Sequence, residues 1–491
     1  MQQAALNLPP SLDRVVAEYK AENFAEAERL CREIVAEQPD FFEAVYVLAV
    51  VQAQQDKTES ALANFDRALA LRSDYAVGHF NRGNALQRLK RYDEALASYG
   101  RAVELAPDFA MAHSNRGNIQ QMLHDFAAAM DSYARAIELE PDYAVAYFNR
   151  GNCLQQLNRF AEAVESYQQA LDLQPGLTPA RLNQSLSRLV MGDLERGWQG
   201  YEWRLDVESP GNSKRAFTRP QWTGQQEIAG KTIYLHAEQG LGDAIQFCRY
   251  VPLIAARGAR VILEVSPPLV ELMTTLAGSP RVVYRTDGPA DYDLQCPLPS
   301  LPLAFGTTLA TIPAQVPYLH AAPERVAQWR ERLGPKRRPR IGLAWSGEPT
   351  HPNDQNRSIA LRALLPLLQA EASFVSLQKG VREADQADLQ AHGDLVHFGD
   401  QLTNFADTAA LVANLDLVVS IDSSVAHLAG AMAKPVWVLL PYIPDWRWLL
   451  DRDDSPWYPT ARLFRQDDSR AWPNILGRLQ AALGQFVQSR A

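Results

Sequence analysis

The chain has 491 residues, of which 47% are hydrophobic and 21% charged, and its formal net charge is −9 at pH 7. This length predicts two or three domains, and the composition is that of a globular protein rather than a disordered or fibrous one. The negative charge argues against a nonspecific nucleic-acid binder and against a polybasic membrane anchor, since both need clustered Lys and Arg. The short basic run Lys336–Arg338 is interpreted as a solvated linker.

The cysteines and the chain start indicate a reducing compartment. The four cysteines are far apart and show no metal-ligand spacing, so we expect reduced thiols and no bound metal. The first residues, MQQAALNLPPSLDR, contain neither the basic nor the apolar region of a secretory signal. No apolar run reaches about 18 residues, the length that a membrane span needs. We therefore predict a cytoplasmic protein without a membrane span.

A period of 34 residues organises the first third of the chain. Small residues at one repeat position let two helices approach closely, aromatic residues fill the space between repeats, and a proline ends the second helix. The series are Ala27, Ala61, Ala95, Ala129 and Ala163; Phe65, Tyr99, Tyr133 and Tyr167; Gly83, Gly117 and Gly151; and Pro39, Pro107, Pro141 and Pro175.

Residues 8–177 resemble five tetratricopeptide repeats (TPRs), which stack helix pairs into an α-solenoid. A sixth, decayed unit over 178–206 keeps the turn and part of the second helix in its GDLERGWQGYEWR segment. An open solenoid end needs a cap, and we expect this unit to cap the superhelix and to dock onto the next domain.

Asparagines recur in these repeats and suggest a binding face. Side chains at one repeat position line one face of a superhelix, and an amide can bond a peptide backbone without reading its sequence. We therefore predict peptide binding on the concave face. The alternative is that the Asn-Arg-Gly-Asn consensus only makes hydrogen bonds between helices. The candidate residues are Asn81, Asn115, Asn149 and Asn183, with a second series at Asn84, Asn118 and Asn152.

After a predicted surface linker at 207–230, strands alternate with helices. The apolar segments TIYLHAE, RVILEV, RVVYR and DLQCPL fall within 231–325, and RIGLAWS, SFVSLQ, LVHFG, LVVSID and PVWVLLP fall within 326–491. Short apolar strands alternating with helices predict parallel sheets covered on both faces. We expect an α/β domain of two Rossmann-like lobes of similar size with a cleft between them.

The first strand of the first lobe leads into a glycine turn, Gly240-Leu241-Gly242-Asp243. Glycine lets the backbone bend at the carboxyl end of a strand, where open α/β sheets bind ligands. Asp243 is thus a candidate catalytic base, and the alternative is that it only caps the helix predicted over Ala244–Ala256. The segment is not a dinucleotide fingerprint, because the third glycine is missing.

In the second lobe, strand LVVSI ends in Asp422-Ser423-Ser424, and a helix is predicted over Val425–Met432 with His427 in its first turn. Helix N-termini present unpaired N–H groups, so small hydroxyl residues there suit a diphosphate. The alternative is that Asp422 or Ser423 is only an N-cap.

Two further strand ends of this lobe carry polar residues. Ser346 leads into a polar loop from which Arg357 could reach a phosphate with its forked donors, unless this is only a mobile surface loop. Lys379 follows strand SFVSL, where a base or ribose would lie, unless it is only an exposed lysine. The pair Asp451 and Asp453 is interpreted as part of a solvated loop, so no metal is predicted.

Residues 231–470 resemble the heptosyltransferase-type glycosyltransferases of family 9, which have the GT-B fold. The matching features are the Gly242-Asp243 turn and the helix start Asp422-Ser-Ser-x-x-His427-x-Ala429. The heptosyltransferases usually have Thr-Gly where this chain has Ser-Ser, and they lack TPRs. The resemblance implies that Asp243 deprotonates an acceptor hydroxyl, that Ser423, Ser424 and His427 hold a nucleotide-sugar diphosphate, and that Arg357 is its basic phosphate partner. The other residues predicted to bind the substrate or the nucleotide-sugar are Gly240, Gly242, Ser346, Lys379 and Asp422.

The whole chain is also similar to bacterial TPR-fused glycosyltransferases, including those like the O-linked N-acetylglucosamine transferases, which use an asparagine ladder on the inner face. This implies metal-independent transfer of a sugar from a nucleotide-sugar donor to a protein hydroxyl, without a cofactor. One alternative is transfer to lipopolysaccharide or another glycan, and another is a TPR scaffold whose α/β part binds a ligand without catalysis.

Overall fold

The computed structural model describes residues 12–207, 215, 217–238, 240–284 and 291–490. The described chain forms two compact units with their boundary between Ala180 and Arg181. Residues 8–11 of the predicted first repeat and most of the first half of the predicted linker (208–214 and 216) lie outside the described residues. None of the described helices is long and apolar enough to cross a membrane.

The first unit is helical, and its helices follow the 34-residue period. The alanines of that period are completely shielded from solvent, as the close packing of two helices requires. In four repeats the second helix ends two residues before the proline, because proline cannot continue the hydrogen-bond ladder. The helix pairs are α1 (Asp13–Lys20) and α2 (Phe24–Glu37), α3 (Phe42–Gln54) and α4 (Thr58–Leu71), α5 (Ala76–Arg88) and α6 (Tyr92–Leu105), α7 (Ala110–Met122) and α8 (Phe126–Leu139), and α9 (Ala144–Gln156) and α10 (Phe160–Leu173).

The periodic glycines are explained by the periodic tyrosines. A Cβ added at the glycine would lie 2.7, 2.7 and 2.5 Å from the tyrosine ring in the pairs Gly83–Tyr99, Gly117–Tyr133 and Gly151–Tyr167. Each tyrosine hydroxyl then donates to an asparagine, at 2.7, 2.8 and 2.7 Å in the pairs Tyr99–Asn84, Tyr133–Asn118 and Tyr167–Asn152. Glycine is therefore needed for the contact between the two helices of a repeat.

The turn inside each repeat has a positive φ at one position, between 57° and 63° at Glu22, Asp56, Lys90, His124 and Asn158. The same spacing leads to Gly192, with a φ of 86°. Gly192 joins α11 (Thr178–Val190) to α12 (Leu194–Tyr201), so the decayed sixth unit keeps the turn geometry of the repeats.

The second unit contains two parallel sheets. Its strands are β1 (Thr232–His236), β2 (Arg260–Val265), β3 (Arg281–Tyr284), β4 (Leu294–Pro297), β5 (Arg340–Ala344), β6 (Ser373–Ser376), β7 (Leu395–His397), β8 (Leu417–Ile421), β9 (Val436–Leu440) and β10 (Ala461–Arg465). The four-stranded sheet has the order β3-β2-β1-β4 and the six-stranded sheet the order β10-β9-β8-β5-β6-β7. The prediction of parallel α/β structure is confirmed, and the two sheets differ by two strands where the sequence predicted a difference of one.

The nine predicted strands are present, and β10 was missed. β10 lies at the edge of its sheet, and its ARLFR sequence places two arginines among the apolar residues, so it lacks the continuous apolar run of a central strand. The remaining helices are α13 (Leu241–Phe247), α14 (Val251–Ala256), α15 (Val270–Met273), α16 (Leu301–Ala304), α17 (Pro323–Arg332), α18 (Asp354–Arg357), α19 (Leu361–Leu364), α20 (Glu383–Ala391), α21 (Phe405–Ala413), α22 (Ser424–Ala431) and α23 (Trp472–Gln488).

Two helix predictions need correction. The helix expected over Ala244–Ala256 is two helices, α13 and α14, separated by a 3₁₀ turn at Cys248–Tyr250. Pro252 explains the break, because it has no N–H to continue the ladder and is tolerated only in a first turn. The helix expected over Val425–Met432 runs one residue earlier, from Ser424 to Ala431.

The aromatic residues of α12 are buried within the second unit. The Trp198 indole N–H donates to the carbonyl of Thr307 at 2.9 Å, and its ring packs edge-on against Trp446 with centroids 5.1 Å apart. Arg204, just after this helix, is buried and forms ion pairs with Glu202 and Glu238. Glu238 precedes the Gly240 turn, so this helical segment supports the loop that leads to Asp243.

We predict that Gly151→Ala destabilises the protein by about 1–3 kcal/mol, because the new methyl group overlaps the buried Tyr167 ring. The measurement is the free energy of unfolding in urea. Gly100→Ala is the matched control: this glycine also lies within a helix, but a Cβ there has no neighbour within 4 Å. The control should be neutral or stabilising by up to about 1 kcal/mol, and equal destabilisation by both changes would contradict the packing argument.

Candidate active site

The first half of the site is the start of α13, just after β1. Gly240 is the N-cap residue of α13, and Asp243 lies in the first turn of that helix. A Cβ added at Gly242 would lie 2.9 Å from Cδ2 of His427. His427 belongs to α22, the helix that follows β8 of the six-stranded sheet. Gly242 therefore lets the beginnings of α13 and α22 come together.

Asp243 is paired with an arginine from the other sheet. Arg447, which follows β9, donates from Nη2 to Oδ1 of Asp243, from Nη1 to Oδ1 of Asp445 at 2.8 Å, and from Nε to Oε1 of Gln246 at 2.7 Å. Burial raises the pKa of Asp243, and the positive charge of Arg447 opposes that rise. Asp243 is thus shielded from water yet retains a partner that stabilises its ionised form.

The second half of the site is the start of α22, just after β8. The Ser423 hydroxyl accepts from the Val425 N–H at 3.3 Å and bonds to the Ser420 hydroxyl at 3.0 Å. Ser423 is therefore the N-cap of α22, whereas Asp422 is not. Ser424 is the first helical residue, so its backbone N–H is one of the groups that a helix start leaves without an intrahelical partner.

His427 is buried between the two halves. Its Nδ1 bonds to the Tyr458 hydroxyl at 2.9 Å, its Nε2 lies 3.9 Å from Oδ1 of Asp422, and its ring stacks on Trp448 with centroids 5.4 Å apart. Burial, together with the nearby arginines, lowers the pKa of His427 far below its usual range. The imidazole is therefore neutral at physiological pH.

The pKa of Asp422 is shifted in the opposite direction to that of His427. Burial, and then the negative charge of Asp445, raises its pKa to about 6. Arg357 donates from Nη1 to the backbone carbonyl of Asp422 at 3.0 Å, and its guanidinium lies against Gly347, where an added Cβ would be 2.5 Å from Nη2. The Arg357 side chain is only 13% exposed, so it is packed at the end of β8 rather than on a free surface loop.

Ser346 and Lys379, two of the predicted binding residues, form hydrogen bonds with residues outside this cluster. The buried Ser346 hydroxyl accepts from Nε2 of Gln378 at 2.9 Å, and the Gln378 carbonyl oxygen accepts from the backbone N–H of Ser346 at 3.2 Å. Lys379 is exposed and donates to the carbonyl of Thr403 at 3.4 Å. The structure therefore gathers Asp243, Asp422 and Arg357, and it leaves Lys379 with the contacts of a surface lysine.

Sequence reasoning missed Arg447 and Asp445. Both follow β9 at the carboxyl edge of the six-stranded sheet, as Asp422 follows β8. The strand-end rule applied to the other strands could have found them. The pair Asp451 and Asp453, which was predicted to lie in a solvated loop, is exposed. No group of three or more metal-ligating side chains occurs within the described part of the chain.

The first asparagine series of the repeats makes contacts across repeats. The side-chain N–H group donates to the preceding repeat at 2.6, 2.9 and 3.4 Å in the pairs Asn81–Tyr46, Asn115–Asn84 and Asn149–Ser114. This is the contact between helices that the alternative interpretation anticipated. It uses the amide nitrogen of each side chain. Asn183 lies in α11.

Known families match both parts of the chain. Tetratricopeptide repeat models match residues 12–76, 76–109, 110–143 and 144–177. The model for glycosyltransferase family 9 (heptosyltransferase) matches residues 401–442, which contain β8, Asp422 and α22. The chain therefore carries tetratricopeptide repeats followed by an α/β unit that is similar, over residues 401–442, to glycosyltransferase family 9.

Protein FlbA of Caulobacter vibrioides is 27% identical to this chain over 331 residues. The match covers 61% of this chain and 54% of FlbA, so it spans about half the length of that relative.

Several solved structures are similar to a part of the chain. MamA from Desulfovibrio magneticus RS-1 is 19% identical, with 34% of this chain and 94% of that one covered and a TM-score of 0.33. PilF of Pseudomonas aeruginosa is 19% identical, with 39% and 86% covered and a TM-score of 0.36. YrrB, described as a TPR protein with an unusual peptide-binding site, is 21% identical, with 36% and 92% covered and a TM-score of 0.32.

We predict that Asp422→Asn changes how stability depends on pH. The folded-state pKa of Asp422 is about 6, above its ordinary value of 3.8, so the folded protein binds this proton more tightly than the unfolded chain. The resulting stability is complete below pH 4 and is lost as pH rises to about 6. The free energy of unfolding of wild type relative to Asp422→Asn should therefore fall between pH 4 and pH 7, by at most roughly 2–3 kcal/mol.

Urea unfolding at pH 4, 5, 6 and 7 measures this difference. Asp108→Asn, at an exposed site in the repeats, is the control for losing a carboxylate. If the difference in the free energy of unfolding between wild type and Asp422→Asn is the same at all four pH values, the raised pKa of Asp422 is refuted.

Proposed function

We propose that this protein is a GT-B-type glycosyltransferase that moves a sugar from a nucleotide-sugar donor to a hydroxyl of a protein held by its repeats. One observation carries the proposal. A carboxylate at a strand end of one sheet, Asp243, is held by Arg447 beside the helix start that follows β8 of the other sheet. This arrangement supports our assignment of Asp243 as the base and of the α22 start as the diphosphate site.

Asp243 is assigned the role of general base. The acceptor oxygen attacks the anomeric carbon, the bond from that carbon to the diphosphate oxygen breaks, and Asp243 takes the proton of the hydroxyl. Oδ1 of Asp243 contacts Arg447, so we assign proton transfer to Oδ2. Burial raises the pKa of this carboxyl, which makes it a stronger base, and the Arg447 contact fixes its orientation.

The leaving diphosphate is assigned to the start of α22. The backbone N–H of Ser424 and the positive end of the helix would receive one phosphate, and Arg357 would neutralise developing charge from the end of β8. Ser423 contributes mainly as the cap that holds this helix start in place. Neutral His427 packs beneath the start without adding a charge. In this mechanism arginine and helix N–H groups do what a divalent metal does in other transferases.

The repeats are assigned to the protein acceptor. The side-chain nitrogens of Asn81, Asn115 and Asn149 bond to the preceding repeat, which orients each amide. The amide oxygens are the atoms we assign to accept N–H bonds from an extended peptide. A glycan acceptor is the second candidate, and it is favoured by the heptosyltransferase description of the family matched at residues 401–442.

We predict that Asp243→Asn lowers the turnover number for sugar transfer by about 10²–10⁴-fold, since the general base is lost. Purified protein would be incubated with a panel of nucleotide sugars, and release of nucleoside diphosphate would be measured with and without EDTA. Asp454→Asn removes an aspartate whose side chain is 67% exposed and is the control. Full activity of Asp243→Asn would refute the base assignment, and loss of wild-type activity in EDTA would refute metal independence.

We predict that the double change Asn115→Ala and Asn149→Ala abolishes sugar transfer to protein while donor hydrolysis continues. Peptide docking and donor chemistry depend on different residues, so they should separate. Acceptor modification would be followed by mass spectrometry of proteins from cells that express each variant. Asn64→Ala removes an amide that lies on the second helix of a repeat and serves as the control. Unchanged protein modification in the double variant would refute peptide docking through these asparagines.

A further inference from the structure

A cavity of about 430 Å³ lies in the second unit, away from the candidate active site. It is formed at the amino ends of the strands: Arg340 is the first residue of β5, Asp416 precedes β8, and Lys434 precedes β9. Asp422 and Ser346, by contrast, follow the carboxyl ends of β8 and β5. The cavity and the candidate active site are thus at opposite edges of the six-stranded sheet.

The cavity is lined by four basic side chains and one acidic side chain. The basic residues are Arg330, Lys336, Arg340 and Lys434, and the acidic one is Asp416. Lys336, which was expected in a solvated linker, pairs with Asp416 at 2.7 Å. The carboxylate of Asp416 also lies 3.8 Å from Arg490. One carboxylate therefore faces several cations, and the positive charge is not balanced.

Part of this positive charge is buried. Arg340 is 4% exposed, and Lys434 is partly buried. Burial lowers the pKa of both Arg340 and Lys434; Asp416 opposes this, while Arg330 adds to the effect on Arg340 and Lys336 to that on Lys434. The cations of the cavity therefore repel one another, and an anion between them would relieve that repulsion.

The same side chains retain donors that nothing else in the described residues uses. Arg340 donates from Nη2 to the carbonyls of Leu333 and Gly334, which leaves its Nε and Nη1. Lys434 donates to the carbonyls of Ala413 and Leu415 at 2.7 and 3.0 Å, which leaves one of its three protons. Arg330 has no hydrogen bond or ion pair to another described residue.

Stabilisation by helix C-termini explains only two of the four basic residues of the cavity. Arg340 bonds to carbonyls just after the C-terminus of α17, and Lys434 bonds to carbonyls at and just after the C-terminus of α21, where a cation is favourable. This accounts for two cations, but Arg330 and Lys336 bond to neither helix end. Two helix C-termini and one carboxylate carry less negative charge than four cations carry positive charge. A net positive cavity remains.

We propose that this cavity is a second ligand site, which binds a small anion carrying two or more phosphate groups. The volume of about 430 Å³ is in the range of small-molecule pockets, which run from about 300 to 1,000 Å³, and exceeds what a single ion needs. Guanidinium and ammonium donors that converge from several sides suit the oxygens of neighbouring phosphates. The phosphate groups are the recognised feature, whether they come from inorganic pyrophosphate or from a nucleoside diphosphate.

The test is calorimetric titration of the full-length protein with sodium pyrophosphate. Wild type should bind, and the charge-reversed double variant Arg330→Glu, Lys336→Glu should lose at least about tenfold in affinity at this site, because four units of charge change beside the anion. Both residues are exposed, so the fold should survive the change, which circular dichroism would verify. The matched control is Arg337→Glu, Arg338→Glu, which makes the same charge change at exposed residues that do not line the cavity.

A third variant separates this site from the candidate active site, which should also bind pyrophosphate. Arg357→Ala should weaken binding there and leave the cavity site intact. The proposal is overturned if wild type binds no pyrophosphate, if Arg357→Ala alone removes all binding, or if the Arg337/Arg338 control loses as much affinity as the cavity variant. Titration with uridine diphosphate identifies the source: equal binding in the cavity supports a nucleotide ligand, and absent binding supports free pyrophosphate.

Discussion

The ion pair between Asp243 and Arg447 connects the two sheets of the second unit, and the candidate active site depends on it. Asp243 lies in the first helix after β1 of the four-stranded sheet, and Arg447 follows β9 of the six-stranded sheet. Their side chains are only 18% and 10% exposed, so each charge is stable mainly because the other is close. Moving the sheets apart would leave the Asp243 carboxylate without its ion-pair partner, whereas Arg447 would keep only Asp445.

Around this pair, close packing and electrostatics act together. Gly242 brings the start of α13 against His427 of α22, which leaves little room for water between the two helix starts. Burial is the first cause of all three displaced pKa values: it raises those of Asp243 and Asp422 and lowers that of His427. Such displaced pKa values are typical of functional sites, although structural networks also produce them. With His427 neutral, Arg447 and Arg357 carry the positive charge of the cluster, beside the carboxyl groups of Asp243, Asp422 and Asp445.

In the repeats, each residue of the Asn-Arg-Gly-Asn consensus makes a contact that holds the helices together. In the repeat at 110–143, Asn115 donates to the preceding repeat, Arg116 donates to Ser132 at 3.1 Å, Gly117 makes room for Tyr133, and Asn118 accepts from the Tyr133 hydroxyl. The consensus is therefore explained to a large extent by helix packing. Peptide binding through these residues must use polar atoms that the contacts between helices do not use. The side-chain oxygen of the first asparagine of the consensus is such an atom.

The sequence by itself determined the features that depend on local periodicity. Repeats with a fixed spacing, apolar strands and strand-end glycines leave their marks within a few residues, so the solenoid, nine strands and the positions of Asp243 and Asp422 at strand ends were predictable. Only the tertiary structure decided which groups meet. Asp243 and Arg447 are 204 residues apart, and Arg357 and Asp422 are 65 apart, so no local pattern records either contact. The basic cavity likewise exists only because the chain brings the amino ends of β5, β8 and β9 together, since charges scattered along a sequence become a site only when folding confines them to one volume.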